Sequence, residues 1–149
     1  IVYCDDEKGD SVTAYHFDRA NGQLKAFHTS STLPTDFDGS KNTCADIEIS
    51  NDGKFIYVSN RGHNSITGFA VDAKTGKLKS IGQFATGEVP RSFNLGPNGK
   101  WLIAAGQRSN ELHIYERNSK TGKLAKVRHQ PTGKGPSWVQ FIPIRVVKK

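Results

Sequence analysis

Apolar and polar residues follow one another along this chain in short, recurring runs. "FIYVS" (55–59) and "WLIAA" (101–105) are nearly continuous apolar stretches, whereas "SITGFAV" and "ELHIYER" alternate with a period of two. The first kind predicts strands covered on both faces, the second strands with one face covered. Turn signals separate them: "NDGK" and "PNGK" carry the Asn/Asp-Gly pairs that accept positive φ in a hairpin, and "TGKL" closes the next turn. Helical periodicity is missing throughout, so the pattern predicts an all-β chain.

The pattern repeats. "IVYCDDEKGDSVTAYHFDRANGQLKAF", "FIYVSNRGHNSITGFAVDAKTGKLKSI" and "WLIAAGQRSNELHIYERNSKTGKLAKV" align with Tyr3, Tyr57 and Leu102 equivalent, and with Gly22, Gly76 and Gly122 equivalent. The first interval is longer because "LPTDFDGSKNTC" adds residues. Each unit predicts three strands, and a fourth lies between units as "ADIEIS", "SFNLG" and "SWVQFI". Repeated sets of four short antiparallel strands describe β-propeller blades, whose sheets have two faces that only neighbouring blades can cover. About three blades and one additional innermost strand are expected, a partial ring. Three are too few to close, since propellers have typically four to eight blades. The remaining blades are expected from the same longer chain or from a second copy. An open stack of hairpins fits the regular repeat less well, and a solenoid of helices or leucine-rich units is excluded.

Composition adjusts this picture. The chain has 149 residues, no methionine, and opens directly on the strand-like "IVYC", so a fragment, a processed product or one half of a larger assembly is expected. Lys and Arg number 21 against 14 Asp and Glu, a formal charge of +7 that favours small anionic partners. The basic residues are dispersed among turns, with "RVVKK" the one compact cluster, so nucleic acid is not expected as a partner. Cys4 and Cys44 have no metal-like spacing and read as buried thiols. An apolar run long enough to span a membrane is absent from the sequence, and no signal peptide is visible, which makes a cytoplasmic location the expectation.

Candidate chemistry sits on the innermost strands and their loops. Ala45, Ile47 and Ile49 match Arg91, Phe93 and Leu95, and also Ser137, Val139 and Phe141. The opposite parity is mostly polar: Asp46 and Glu48, Ser92 and Asn94, Trp138 and Gln140. Arg91 stands where its equivalents are small, and a guanidinium there offers a fixed fork to a carboxylate or phosphate at the channel mouth, or pairs with a neighbouring blade's carboxylate. The equivalent loops "CDDEKGDS", "SNRGHNS" and "GQRSNE" surround the same end and supply Arg61, His63, Asn60 and Gln107. His63 titrates near neutrality but is equally a common kind of loop residue. Asn60 and Gln107 either orient a substrate or cap their loops. Asp46 and Glu48 point the same way, so mutual repulsion is expected to raise one pKa into the range of a general base, unless Arg61 or Arg91 neutralises them. The five histidines show no metal-ligand spacing, and neither a GxSxG elbow nor a phosphate-binding glycine loop occurs.

"CADIEISNDGKFIYVSNRGHNSITGFAVDAKTGKL", "GEVPRSFNLGPNGKWLIAAGQRSNELHIYERNSKTGKL" and "GKGPSWVQF" together resemble the lactonase-type seven-bladed propellers. That family includes bacterial 6-phosphogluconolactonases, and the resemblance implies that residues 1–149 are the C-terminal portion of a longer propeller that hydrolyses 6-phosphogluconolactone with neither a metal nor an organic cofactor. Arg61 and Arg91 would then hold the anionic group of a sugar lactone, with Glu48, Asp46 or His63 positioning water. The family also contains cyclases that act on carboxylated muconates. A competing class, the non-catalytic propeller scaffold, would show an exposed aromatic patch, but Trp101 and Trp138 are expected inside strands.

Overall fold

The computed structural model describes residues 1–142; the basic "RVVKK" lies outside the described residues. Among the described residues eleven strands occur in chain order: β1 Val2–Asp6, β2 Ser11–Phe17, β3 Leu24–Ser31, β4 Cys44–Ile49, β5 Phe55–Asn60, β6 Ser65–Val71, β7 Leu78–Ala85, β8 Pro90–Leu95, β9 Trp101–Gly106, β10 Glu111–Arg117 and β11 Leu124–Pro131. They form three antiparallel sheets, β1-β2-β3, β4-β5-β6-β7 and β8-β9-β10-β11, each a meander in sequence order. The expected blades are therefore present, with β4 and β8 as innermost strands.

The repeat extends to fine geometry. In each blade the pairing of the last two strands slips at one equivalent place, after Ala14, Gly68 and Ile114. The unpaired residues facing these bulges are Phe27, Ile81 and Val127, all apolar, so the extra residue adds to a sheet face instead of exposing a polar side chain. The "TGKL"-type turns close through Gly22, Gly76 and Gly122, whose N–H groups donate to Asp18, Asp72 and Asn118 carbonyls at 2.8 Å each.

The core lies between sheets. Val12, Cys44, Ile56, Val58, Phe69 and Leu78 join the first and second blades, and Phe55, Tyr57, Ile66, Phe93, Leu102 and Tyr115 join the second and third. Tyrosines stitch the same interfaces. Tyr3 Oη donates to the Gly76 carbonyl at 2.7 Å, and Tyr57 Oη to the Gly122 carbonyl at 2.6 Å, so each hydroxyl reaches the turn glycine of the next blade. Burial pushes the Tyr57 hydroxyl up to about 12, keeping it a donor. Gly122 has φ 72°, and a Cβ there would stand 2.3 Å from the Phe55 ring, so only glycine brings the carbonyl this close.

Three expectations need correction. "SWVQFI" is not a strand: it lies beside β8 without a backbone ladder, and a strand requires paired main-chain groups. Trp138 is consequently 73% exposed. Cys44 is buried, and burial raises its thiol to about 11, but Cys4 is exposed on β1.

Tyr57→Phe removes the inter-blade bond and leaves the Gly122 carbonyl without its partner. The expected loss is about 1–3 kcal/mol, read from chemical denaturation as a lower midpoint at unchanged slope.

Candidate functional site

The innermost strands β4 and β8 stand side by side but share no backbone ladder. Side chains fill the interval. Asp46 Oδ2 accepts the Phe93 N–H at 3.0 Å, and Glu48 Oε1 accepts from Asn94 Nδ2 at 2.8 Å. One blade further, Ser92 Oγ accepts the Val139 N–H at 3.3 Å and Asn94 Oδ1 accepts the Phe141 N–H at 3.2 Å. The polar parity read from the sequence is thus occupied in accepting hydrogen bonds from main-chain and side-chain donors of β8 or of the 137–141 segment.

Above this seam, at the strand starts, a polar cleft of about 320 Å³ is lined by Asp5, Glu7, Cys44, Ala45, Arg61 and Arg91. Ala45 is small where the equivalent β8 residue is Arg91, which leaves room beside the guanidinium. Arg61 is anchored: its Nη2 pairs with Glu7 Oε1 and donates to the Cys44 carbonyl at 3.1 Å, while its Nε is buried without a partner. Arg91 is exposed and has no hydrogen bond or ion pair among the described residues. The two expected arginines therefore meet, one fixed and one free.

Arg91 is delivered by a strained turn. Val89 has φ 56°, which a β-branched residue rarely adopts, and its N–H donates to Asn64 Oδ1 at 2.8 Å. The equivalent residue in the next unit, Gly135, has φ 65° and donates to Asn110 Oδ1 at 2.8 Å. The chain holds this conformation before Arg91 without the glycine that would relax it.

The other expected residues disperse. Asn60 is fully buried, accepting from Thr32 Oγ1 at 2.8 Å and donating to Thr67 Oγ1 at 3.0 Å. It is a buried hydrogen-bonding hub and does not line the cleft. His63 faces Ser65 Oγ at 2.7 Å and Phe37 edge-on at 4.7 Å, and neither it nor the half-buried Gln107 lines the cleft. Asp46 and Glu48 sit below the cleft and form no ion pair with either arginine among the described residues. Glu48 does have a raised pKa, but burial is the chief cause, opposed by the Asn94 bond; repulsion from Asp46 contributes less.

Two acids in the cleft were passed over in the sequence, Asp5 and Glu7 of the "CDDEKGDS" loop. Burial pushes the Asp5 carboxyl above its ordinary value, its own backbone N–H opposes this, and Asp46, Asp6 and Glu7 add repulsion. The available signal was the loop's equivalence to "SNRGHNS". Nor did spacing along the chain show that Glu111, His113 and His129 meet, their donor atoms all within 4.8 Å of one another.

Four-stranded repeating blades with a polar cleft at the innermost strands define a β-propeller. The chain belongs to the family described as lactonase, seven-bladed β-propeller, which matches residues 1–141. It is 40% identical over 95 residues to an uncharacterized protein of Lactococcus lactis subsp. lactis, covering 63% of this chain and 28% of that protein. It is 33% identical over 97 residues to the 6-phosphogluconolactonase of Bacillus subtilis, covering 64% and 28%. Its structure resembles the periplasmic gluconolactonase of Pseudomonas aeruginosa with a TM-score of 0.88 and 27% identity, over 96% of this chain and 39% of that one. The chain thus spans 28% of the length of these curated relatives. Among the described residues no helix is long and apolar enough to cross a membrane.

Because burial raises Glu48 above its ordinary value of 4.5, its charged form is disfavoured in the fold. Its contribution to stability is full below pH 4.5 and is lost as pH rises through the folded value. Glu48→Gln is expected to raise the thermal midpoint at pH 7 modestly and to match the parent protein near pH 4, in paired melting curves.

Proposed function

We propose that the propeller containing this chain hydrolyses a sugar lactone bearing an anionic group, 6-phosphogluconolactone to 6-phosphogluconate, using the cleft between Arg61 and Arg91. The observation that carries the reading is the free guanidinium of Arg91 beside an anchored Arg61 and the carboxyls of Asp5 and Glu7. Family membership and the names of the relatives support it.

In this mechanism Arg91 receives the phosphate or carboxylate as a planar fork. Asp5, whose raised pKa brings it nearer the working range of a base, takes a proton from water. The resulting hydroxide adds to the lactone carbonyl, and Arg61 stabilises the negative oxygen of the tetrahedral intermediate. Collapse breaks the ring C–O bond, the ring oxygen takes the proton held by Asp5, and the new carboxyl releases its proton to solvent, so lactone and one water give a carboxylate, a hydroxyl and a proton. Every step uses side chains alone. Further blades, from a longer protein with this chain as its C-terminal portion or from a second copy, would complete the site's walls. A cytoplasmic location belongs to the same proposal.

The test is hydrolysis of freshly generated 6-phosphogluconolactone by the full-length protein, measured against the spontaneous rate. Arg91→Ala is expected to lower kcat/KM about 10²-fold, and Asp5→Asn to lower kcat by about 10²-fold or more. Activity should fall as pH drops through the Asp5 pKa, because the base must be ionised, with this acid limb above the ordinary carboxylate value of 3.8. Acceleration of unphosphorylated gluconolactone alone would replace the substrate, and cyclisation of a carboxymuconate would replace the reaction. Background rates with all three would leave a binding scaffold.

A further inference from the structure

Away from the arginine cleft, the outer hairpin of the third blade gathers three metal-type donors. The β10–β11 register sets His113 directly opposite His129, and Glu111 precedes His113 by two residues on the same face. Glu111 Oε1 lies 2.9 Å from His113 Nε2, and Oε2 lies 3.3 Å from His129 Nδ1. Donor atoms in a tetrahedral zinc shell stand roughly 3.3 Å apart, given bonds of about 2.0–2.1 Å. None of the three residues lines the cleft.

The other blades provide an internal comparison. The positions of Glu111, His113 and His129 hold Ser11, Thr13 and Thr29 in the first blade, and Ser65, Thr67 and Gln83 in the second. Hydroxyls and an amide thus give way at all three positions together to two imidazoles and a carboxylate.

The surroundings orient the cluster. Tyr115 Oη donates to the Ala85 carbonyl at 2.6 Å, so its oxygen is left to accept from His113 Nδ1, 3.4 Å away. A proton on Nδ1 turns the Nε2 lone pair towards the Glu111 carboxylate, an arrangement that needs a proton or a cation between them. Backbone approaches there without a side chain: a Cβ on Gly87 would lie 3.2 Å from Glu111 Oε1 and 3.3 Å from His113 Nε2.

We propose that Glu111, His113 and His129 bind a divalent transition metal of zinc type as a clip across the β10–β11 hairpin. Two imidazoles and one carboxylate suit zinc and its neighbours, whereas magnesium favours oxygen ligands alone. His113 is 4% exposed and supplies the rigid ligand, while His129, 62% exposed, is the arm that closes from solvent. A fourth position is left for water or a solvent ligand.

Calorimetric titration of zinc chloride into the full-length protein tests this, with His129→Ala, Glu111→Gln and a control His16→Ala. His129 and His16 are exposed, so their replacement leaves the core intact. Saturable zinc binding is expected that weakens at least tenfold in His129→Ala and in Glu111→Gln, stays unchanged in His16→Ala, and is not reproduced by magnesium. An anomalous zinc peak between the two imidazoles in crystals would support the assignment. Absence of saturable binding, or binding that survives both ligand substitutions, would overturn it. Lactone hydrolysis does not enter either readout.

Discussion

Neighbouring innermost strands of this molecule cannot hydrogen-bond each other through their backbones, and most of its design follows from that constraint. Main-chain N–H groups on β8 and on the 137–141 segment turn towards the preceding inner strand and need acceptors. Asp46, Ser92 and Asn94 provide them, each bonding a residue 47 positions later: Phe93, Val139 and Phe141. On the other side of the blades Tyr3 and Tyr57 do the corresponding work, reaching turn carbonyls one blade on. Polar side chains hold the blades in step at both places, while apolar burial between sheets supplies the larger part of the adhesion.

The cleft is a consequence of the same seam. Where the innermost strands begin, the inter-strand bonds have not yet started, and the β1 strand end brings acids to face the arginines of the neighbouring blades. Arg61 and Arg91 illustrate how neighbours divide roles between like residues. Glu7 and the Cys44 carbonyl hold Arg61, so its position is set before any ligand arrives, and the ordering entropy is already met. Arg91 keeps its charge unpaired behind the strained Val89, a conformation that costs of order 1–3 kcal/mol and persists because the surrounding structure fixes it.

The outer hairpin of the third blade departs from its equivalents in a different manner. The blade scaffold tolerates Ser, Thr and Gln at the three positions in question, so the cluster of Glu111, His113 and His129 is not a requirement of the fold. A propeller thereby offers two separate places for function, the inner seam and the rim of a single blade, which can vary without disturbing the stitching between blades.

Blades, turns and the innermost strands β4 and β8 were legible in the sequence because strand alternation and Asn/Asp-Gly turns are local signals, and repetition multiplies them. Arg91 was legible for a related reason, since it breaks a pattern that the other units establish, and Arg61 because it is a cation in one of three equivalent loops. Asp5 and Glu7 were not, since their importance comes from lying opposite residues 54 and 86 positions later, and no periodicity reports such a meeting. Asn60 read as a loop polar residue, yet tertiary packing sealed it among Thr32, Asn42 and Thr67. Asp46 and Glu48 carried the right parity for a wet channel, but the neighbouring strand's unpaired N–H and amide groups claimed them first. Local chemistry thus determined which elements form and in what order. Which side chains are free to act was decided by the tertiary structure, because freedom depends on what the adjacent blade leaves unsatisfied.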